Sequence, residues 1–185
     1  MIKDLLRETE ERMRKAIDAL ENDLRAIRTG RASPALVERV MVDYYGTPTP
    51  LVQLAVISAP EPQLLTIRPY DPGSLADIER AILKSELGLT PSNDGRIIRL
   101  PIPPLTEERR RELAKMVRQR VEEGKIALRN IRREAMDDLH EFEDEKLISE
   151  DEFYQGKDDL QELIDRYSEQ MDEISDRKQR EIMES

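Results

Sequence analysis

A chain of 185 residues with a net charge of -10, 38% charged and 38% hydrophobic, is long enough for one or two domains and too apolar for a disordered polyelectrolyte. Its lack of cysteine excludes a disulfide framework, a thiol nucleophile and a zinc–thiolate site, and fits a reducing compartment. No apolar stretch approaches the roughly 18–20 residues of a membrane span, and the acid-bearing MIKDLLRETEERM lacks a signal-peptide core, so a soluble cytoplasmic protein is expected.

Ile2, Leu5, Leu6, Met13, Ile17, Leu20, Leu24 and Ile27 recur at three- and four-residue steps, which predicts a first amphipathic helix. Arg28 in its last turn, Gly30 after it and Pro34 beyond supply the stop signals. The texture then changes: all 11 prolines fall between Pro34 and Pro104. Short β-rich runs at 37–44, 53–58, 64–69 and 97–100 flank a helical pattern over 75–87, with Ser74 as N-cap and Gly88 after its end. Thr47-Pro48-Thr49-Pro50, 59–62 and 93–95 read as loops and turns. The expected order is β-β-β-α-β, a small α/β domain.

Thr106 predicts the cap of a second long helix reaching about Leu147, and Ser149 with Glu152 a capping box opening a third. Three narrow-seamed helices are stable only when packed together, so the fold expected is α+β: an antiparallel three-helix bundle with the α/β domain inserted. Residues 1–29 and 106–185 would form the bundle and 31–104 the insertion, joined at 30–31 and 103–105. The expected shape is a rod with a smaller body beside one end.

Catalysis finds little support. His140, the only histidine, lies in an acidic stretch without a Ser or Cys partner, and there is no Walker loop, GxGxxG or HExxH. The pairs Asp137-Asp138, Asp158-Asp159 and Asp172-Glu173 lack calcium-loop spacing and read as solvated faces. No enzyme, cofactor or metal is expected.

The charge is uneven. Residues 106–135 carry a net +4 and residues 136–185 a net -13. On a helical wheel Leu113, Met116, Val117, Val121, Leu128, Ile131 and Ala135 share the core face, and Gly124 lies among them where another helix can approach closely. Arg111, Lys115, Arg118, Lys125, Arg129, Arg132 and Arg133 line the side, with Arg110 at the boundary. A line of cations about 35 Å long suits the repeated phosphates of a nucleic acid. The excess of Arg over Lys favours forked recognition of phosphate or carboxylate. No groove-reading motif points to DNA, which leaves RNA shape and backbone as the expected target. Three alternatives remain open: pairing of these cations with acids on the other helices, an adaptor or chaperone-like role toward an acidic protein, or an enzyme with an unrecognised carboxylate site in the α/β domain.

Six segments carry a family resemblance: IRTGRASPAL at 27–36, VDYYGTPTPLVQLA at 42–55, LGLTPSNDG at 87–95, PPLTEERRREL at 103–113, VEEGKIALRNIRREAMDDL at 121–139 and LISEDE at 147–152. In order and spacing the chain resembles bacterial ribosome recycling factor end to end. The resemblance implies an L-shaped, monomeric, non-catalytic protein that binds the post-termination ribosome. With elongation factor G and GTP it would promote dissociation into subunits. It implies contacts of Arg110, Arg129, Arg132 and Arg133 with large-subunit ribosomal RNA, and a hinge at Gly30, Arg31, Pro103 and Pro104.

Overall fold

The computed structural model describes residues 1–184 and has three long helices and a small antiparallel sheet domain, a mixed α+β fold. By packing the described residues divide into two units, one of Met1–Leu24 with Ala114–Arg180 and one of Arg25–Leu113 together with residues 181–184.

The first unit is helical. Helix α1 spans Ile2–Arg25, α3 Glu107–Asp144 and α4 Glu150–Glu184. The seam of α1 is buried at Leu5, Met13, Ile17, Leu20 and Leu24, that of α3 at Val117, Val121, Leu128, Ile131, Ala135 and Leu139, and that of α4 at Phe153, Leu160, Ile164, Tyr167 and Met171. Side-chain pairs give the directions. Arg12 meets Glu134 at 2.7 Å and Arg120 meets Asp23 at 3.9 Å, so α1 and α3 run antiparallel. Lys125 meets Asp172 and Arg118 meets Gln179, so α3 and α4 are antiparallel too. The interior Gly124 forgoes about 1 kcal/mol of helix propensity against alanine. Its gain is close packing: a Cβ there would stand 3.1 Å from Met171 Sδ and 3.8 Å from a Leu20 methyl.

Helix ends show where local chemistry was readable. Thr106 Oγ1 accepts from Arg109 N–H at 3.1 Å. The capping box is complete: Glu152 N–H donates to Ser149 Oγ and Ser149 N–H to Glu152 Oε1. Two expected ends of the long helices move. Helix α1 stops at Arg25, so Arg28 lies beyond it. Helix α3 stops at Asp144 rather than near Leu147; Lys146 takes φ 60° while Leu147 N–H reaches Phe142 O and Lys146 N–H reaches Glu143 O. That is a Schellman closure built on lysine, where sequence signals look for glycine.

The second unit contains six strands and one helix, not the expected β-β-β-α-β. Strands β1 (Met41–Tyr44) and β2 (Thr47–Pro50) form a hairpin; β3 (Ala55–Glu61), β4 (Leu64–Pro69), β5 (Ser92–Asn93) and β6 (Ile98–Pro101) form an antiparallel sheet in the order β3-β4-β6-β5. The segment Thr47–Pro50, expected as a loop, is therefore a strand. Its prolines stand opposite Asp43 and Met41, and its threonines opposite Tyr44 and Val42. Counted from the two-residue turn, the prolines occupy the non-hydrogen-bonded sites, where a missing N–H costs nothing. Tyr45 and Gly46 turn the hairpin with φ of 49° and 84°.

The stretch expected as a strand from Val37 pairs only from Met41, and Pro34–Leu36 forms a 3-10 turn. Helix α2 is Leu75–Lys84, shorter than expected; Ser85 closes it, and Gly88, at φ 68°, belongs to the loop beyond. Ser74 makes no side-chain cap; instead Asp71 accepts from Gly73 N–H, and Ser74 Oγ donates to Asp71 O. The core joins Leu36, Val42, Leu51, Leu65, Ile67, Ile78, Ile82, Ile98 and Leu100.

Candidate nucleic-acid interface

The apolar seam of α3 fixes which side of the helix remains for other work. Leu113, Val117, Val121, Leu128, Ile131 and Ala135 are buried as expected, while Met116, assigned to the same face, is 38% exposed at its edge. The cations flank that seam in three states.

Some are held within α3. Arg111 pairs with Glu107 at 2.8 Å, and Arg129 reaches two turns back to Glu122 at 2.7 Å. Two are held by α4: Lys125 Nζ lies 2.5 Å from Asp172 Oδ1, and Arg118 donates to Gln179 Oε1 at 3.0 Å. The acidic helix thus takes Lys125, as the pairing alternative anticipated. Lys115, Arg132 and Arg133 make no ion pair among the described residues. Arg132 is half-buried, and its Nε is packed away from water without an acceptor. A buried donor left unpaired costs about 1–3 kcal/mol, so this nitrogen adds nothing to the bundle's stability. Arg110 is half-buried near the start of the helix.

A guanidinium or ammonium held by an exposed carboxylate is only weakly committed, because such a pair contributes about 0–1 kcal/mol. Phosphate can replace the carboxylate oxygen on Arg129, and the guanidinium can meet it with a forked pair of bonds. The face therefore offers three free cations and several exchangeable ones on one rigid helix.

Gly30 is buried, and Arg31 is exposed with its N–H donating to Thr29 Oγ1 at 3.1 Å. Pro103 and Pro104 are exposed. The Arg28 guanidinium donates to Pro103 O, holding the segment after α1 to the segment before α3. Burial, and secondarily the nearby Arg109, lowers the pKa of Arg28. From the sequence Arg28 reads only as a helix-stop residue, because nothing local announces a partner 75 residues away.

His140 is exposed, with its ring 4.8 Å from that of Phe153. Among the described residues no group of three or more His, Asp or Glu is placed to hold a metal ion, and no helix is long and apolar enough to cross a membrane.

A family model described as Ribosome recycling factor matches residues 20–183. The ribosome-recycling factor of Roseiflexus sp. (strain RS-1) is 58% identical over 184 residues, covering 100% of both chains. That of Chloroflexus aggregans is 57% identical, covering 99% of each. A solution structure of the ribosome recycling factor is similar over 100% of this chain and 98% of its own, at 41% identity and TM-score 0.76. A second similar structure has 44% identity, a TM-score of 0.67 and 98% coverage of each chain. It models the T. thermophilus ribosome recycling factor with E. coli elongation factor G on the E. coli post-termination complex.

Proposed function

The chain belongs to the ribosome recycling factor family, and from that premise we propose that it binds the post-termination ribosome through the basic face of α3 and, with elongation factor G and GTP, promotes separation of the subunits. It is a translation factor and not an enzyme; in this reading nucleotide hydrolysis belongs to elongation factor G. It works in the cytoplasm, where the ribosomes are.

In this reading residues 1–29 and 106–185 hold ribosomal RNA through Arg110, Arg118, Lys125, Arg129, Arg132 and Arg133. Residues 31–104 receive the push of elongation factor G. Gly30, Arg31, Pro103 and Pro104 carry the rotation between them. The link from Arg28 to Pro103 O supports this, because it makes the segment after α1 and the segment before α3 turn together. A protein that must separate two large bodies needs a stiff part that grips and a second part that is moved. A 38-residue helix packed along its seam supplies the first.

The observation that carries the RNA contact is the state of Lys115, Arg132 and Arg133, which share one side of α3 and have no ion pair among the described residues. Light scattering of post-termination complexes with elongation factor G and GTP tests it. The full chain should split them. A variant with Lys115, Arg132 and Arg133 all changed to Ala should stay folded, bind weakly and split slowly. Parent-like co-sedimentation of the triple variant with ribosomes would remove the basic face from the mechanism.

A further inference from the structure

Ile126 is 48% exposed on α3, where a β-branched residue gains nothing in helix propensity. A lone exposed aliphatic side chain is ordinary on a protein surface. Its position here is not. At about 100° per residue it lies some 20° from the azimuth of Lys115 and Arg133 and some 60° from that of Arg129. Arg129 is three residues on and Glu122 four residues back, the spacings that make helix side chains neighbours. The Arg129–Glu122 bond, 2.7 Å long, spans the position of Ile126.

A polyanion that follows the helix from Lys115 to Arg133 therefore passes over Ile126, which lies between them along the axis. A phosphate pressed onto that side chain would lose water and gain no donor, at a desolvation cost that nothing there repays. The part of the ligand resting on Ile126 has to be apolar. RNA offers such a surface in the carbon face of its riboses, displayed in the shallow minor groove of an A-form helix, and in the faces of unstacked bases.

We infer that Ile126 packs against a ribose or base face of RNA, between phosphates held by Lys115 and Arg133. The inference rests on the RNA-binding reading of this face and extends it by naming what lies between the ionic contacts. Affinity then has two parts that respond differently to salt. The ionic part falls as counterions compete for the phosphates, whereas the apolar part does not.

The test is equilibrium binding of the full chain to large ribosomal subunits over a salt series, with Ile126→Ala, Ile126→Leu, Arg129→Ala and Arg133→Ala, each checked for helicity. Ile126→Ala should bind about fivefold more weakly at every salt concentration, as expected for losing part of an aliphatic contact, with an unaltered salt slope. Ile126→Leu should recover most of the loss. A photoreactive side chain at position 126 should cross-link to ribosomal RNA. Undiminished affinity in Ile126→Ala, a changed slope, or cross-links to ribosomal protein alone would overturn the inference. Failure of the underlying reading looks different: Arg129→Ala and Arg133→Ala would both leave affinity and slope where they were.

Discussion

The helical unit and the sheet unit use polar residues in opposite ways. In the helices the backbone satisfies itself, and charged side chains sit on the outside in exposed pairs such as Arg7–Asp4, Lys15–Glu11 and Arg111–Glu107. These contribute little to stability, and the seam holds the bundle. In the sheet unit the turns leave backbone N–H groups without partners, and short polar side chains take them. Asp43 accepts from Gly46, Asp71 from Gly73, Asn93 from Gly95, and Asp94 from both Arg96 and Ile97. A regular backbone frees surface charge for binding; an irregular one consumes it. The basic face belongs on the helix for that reason.

The strongest way to break this comparison is to remove one side of it. Residues 1–29 joined by a short flexible linker to 106–185 keep all three helices and the whole cationic face. This shortened chain should still melt cooperatively and co-sediment with ribosomes, and subunit splitting with elongation factor G and GTP should be abolished. Splitting at the parent rate would show that the sheet unit is dispensable and that the division of labour is wrong.

Next in size is Arg132→Ala. Losing a charge-assisted contact to phosphate costs about 1.5–3 kcal/mol, so ribosome affinity should fall by roughly 10- to 150-fold. Arg132→Lys should restore only part, since an ammonium does not reproduce the fork. Because Nε is buried without an acceptor, removing it should not destabilise the bundle. Calorimetry decides: a large fall in melting temperature with an unchanged salt slope of binding would make Arg132 a structural residue.

How legible each unit was follows from the same difference. Helical seams were readable because a 3.6-residue period is local, and Thr106, Ser149 and Glu152 carry their caps within three residues. The close approach at Gly124 was readable too, as a gap on the core face. Strand β2 was not, because two prolines argue against a strand unless the hairpin register is known. Its turn was hidden as well: Tyr45-Gly46 takes a conformation that usually announces itself as Asn-Gly. Strand β5 exists only through its pairing with β6, at Ser92 and Asn93. At the candidate interface the positions of the arginines followed from the wheel, but their partners did not. That Asp172 holds Lys125 while Arg132 is left alone depends on how α4 packs, which no spacing within α3 records.

A smaller effect should separate packing from binding within the bundle. Gly124→Leu places bulk where even a Cβ lies 3.1 Å from Met171 Sδ. Overpacking of this kind costs typically about 1–3 kcal/mol, which should lower the urea midpoint. Below the unfolding transition, ribosome affinity should change less than tenfold, because the cations on the neighbouring side stay in place. Loss of binding without loss of stability would put Gly124 in the interface itself.

The smallest expected effect probes the sheet unit's use of its acids. Asp94 Oδ1 accepts from the N–H groups of Ile97 and Arg96, each at 2.9 Å, and Oδ2 from Arg99 at 3.0 Å. Those bonds favour the charged carboxylate and hold its pKa down, from 3.8 to about 2, the Ile97 bond most of all. With the folded value below the unfolded one, the stabilisation is complete above about pH 4 and is lost as pH falls toward 2. Asp94 is exposed, so the effect belongs to the turn rather than to global stability. Hydrogen exchange read by NMR should show the Ile97 amide losing protection through that window. In Asp94→Asn the same amide should be less protected at neutral pH and insensitive to acid down to pH 2. Titration of the Asp94 carboxyl near 4, with Ile97 protection unchanged, would mean that the turn closes without it and that the contrast between the two units is weaker than the bonds suggest.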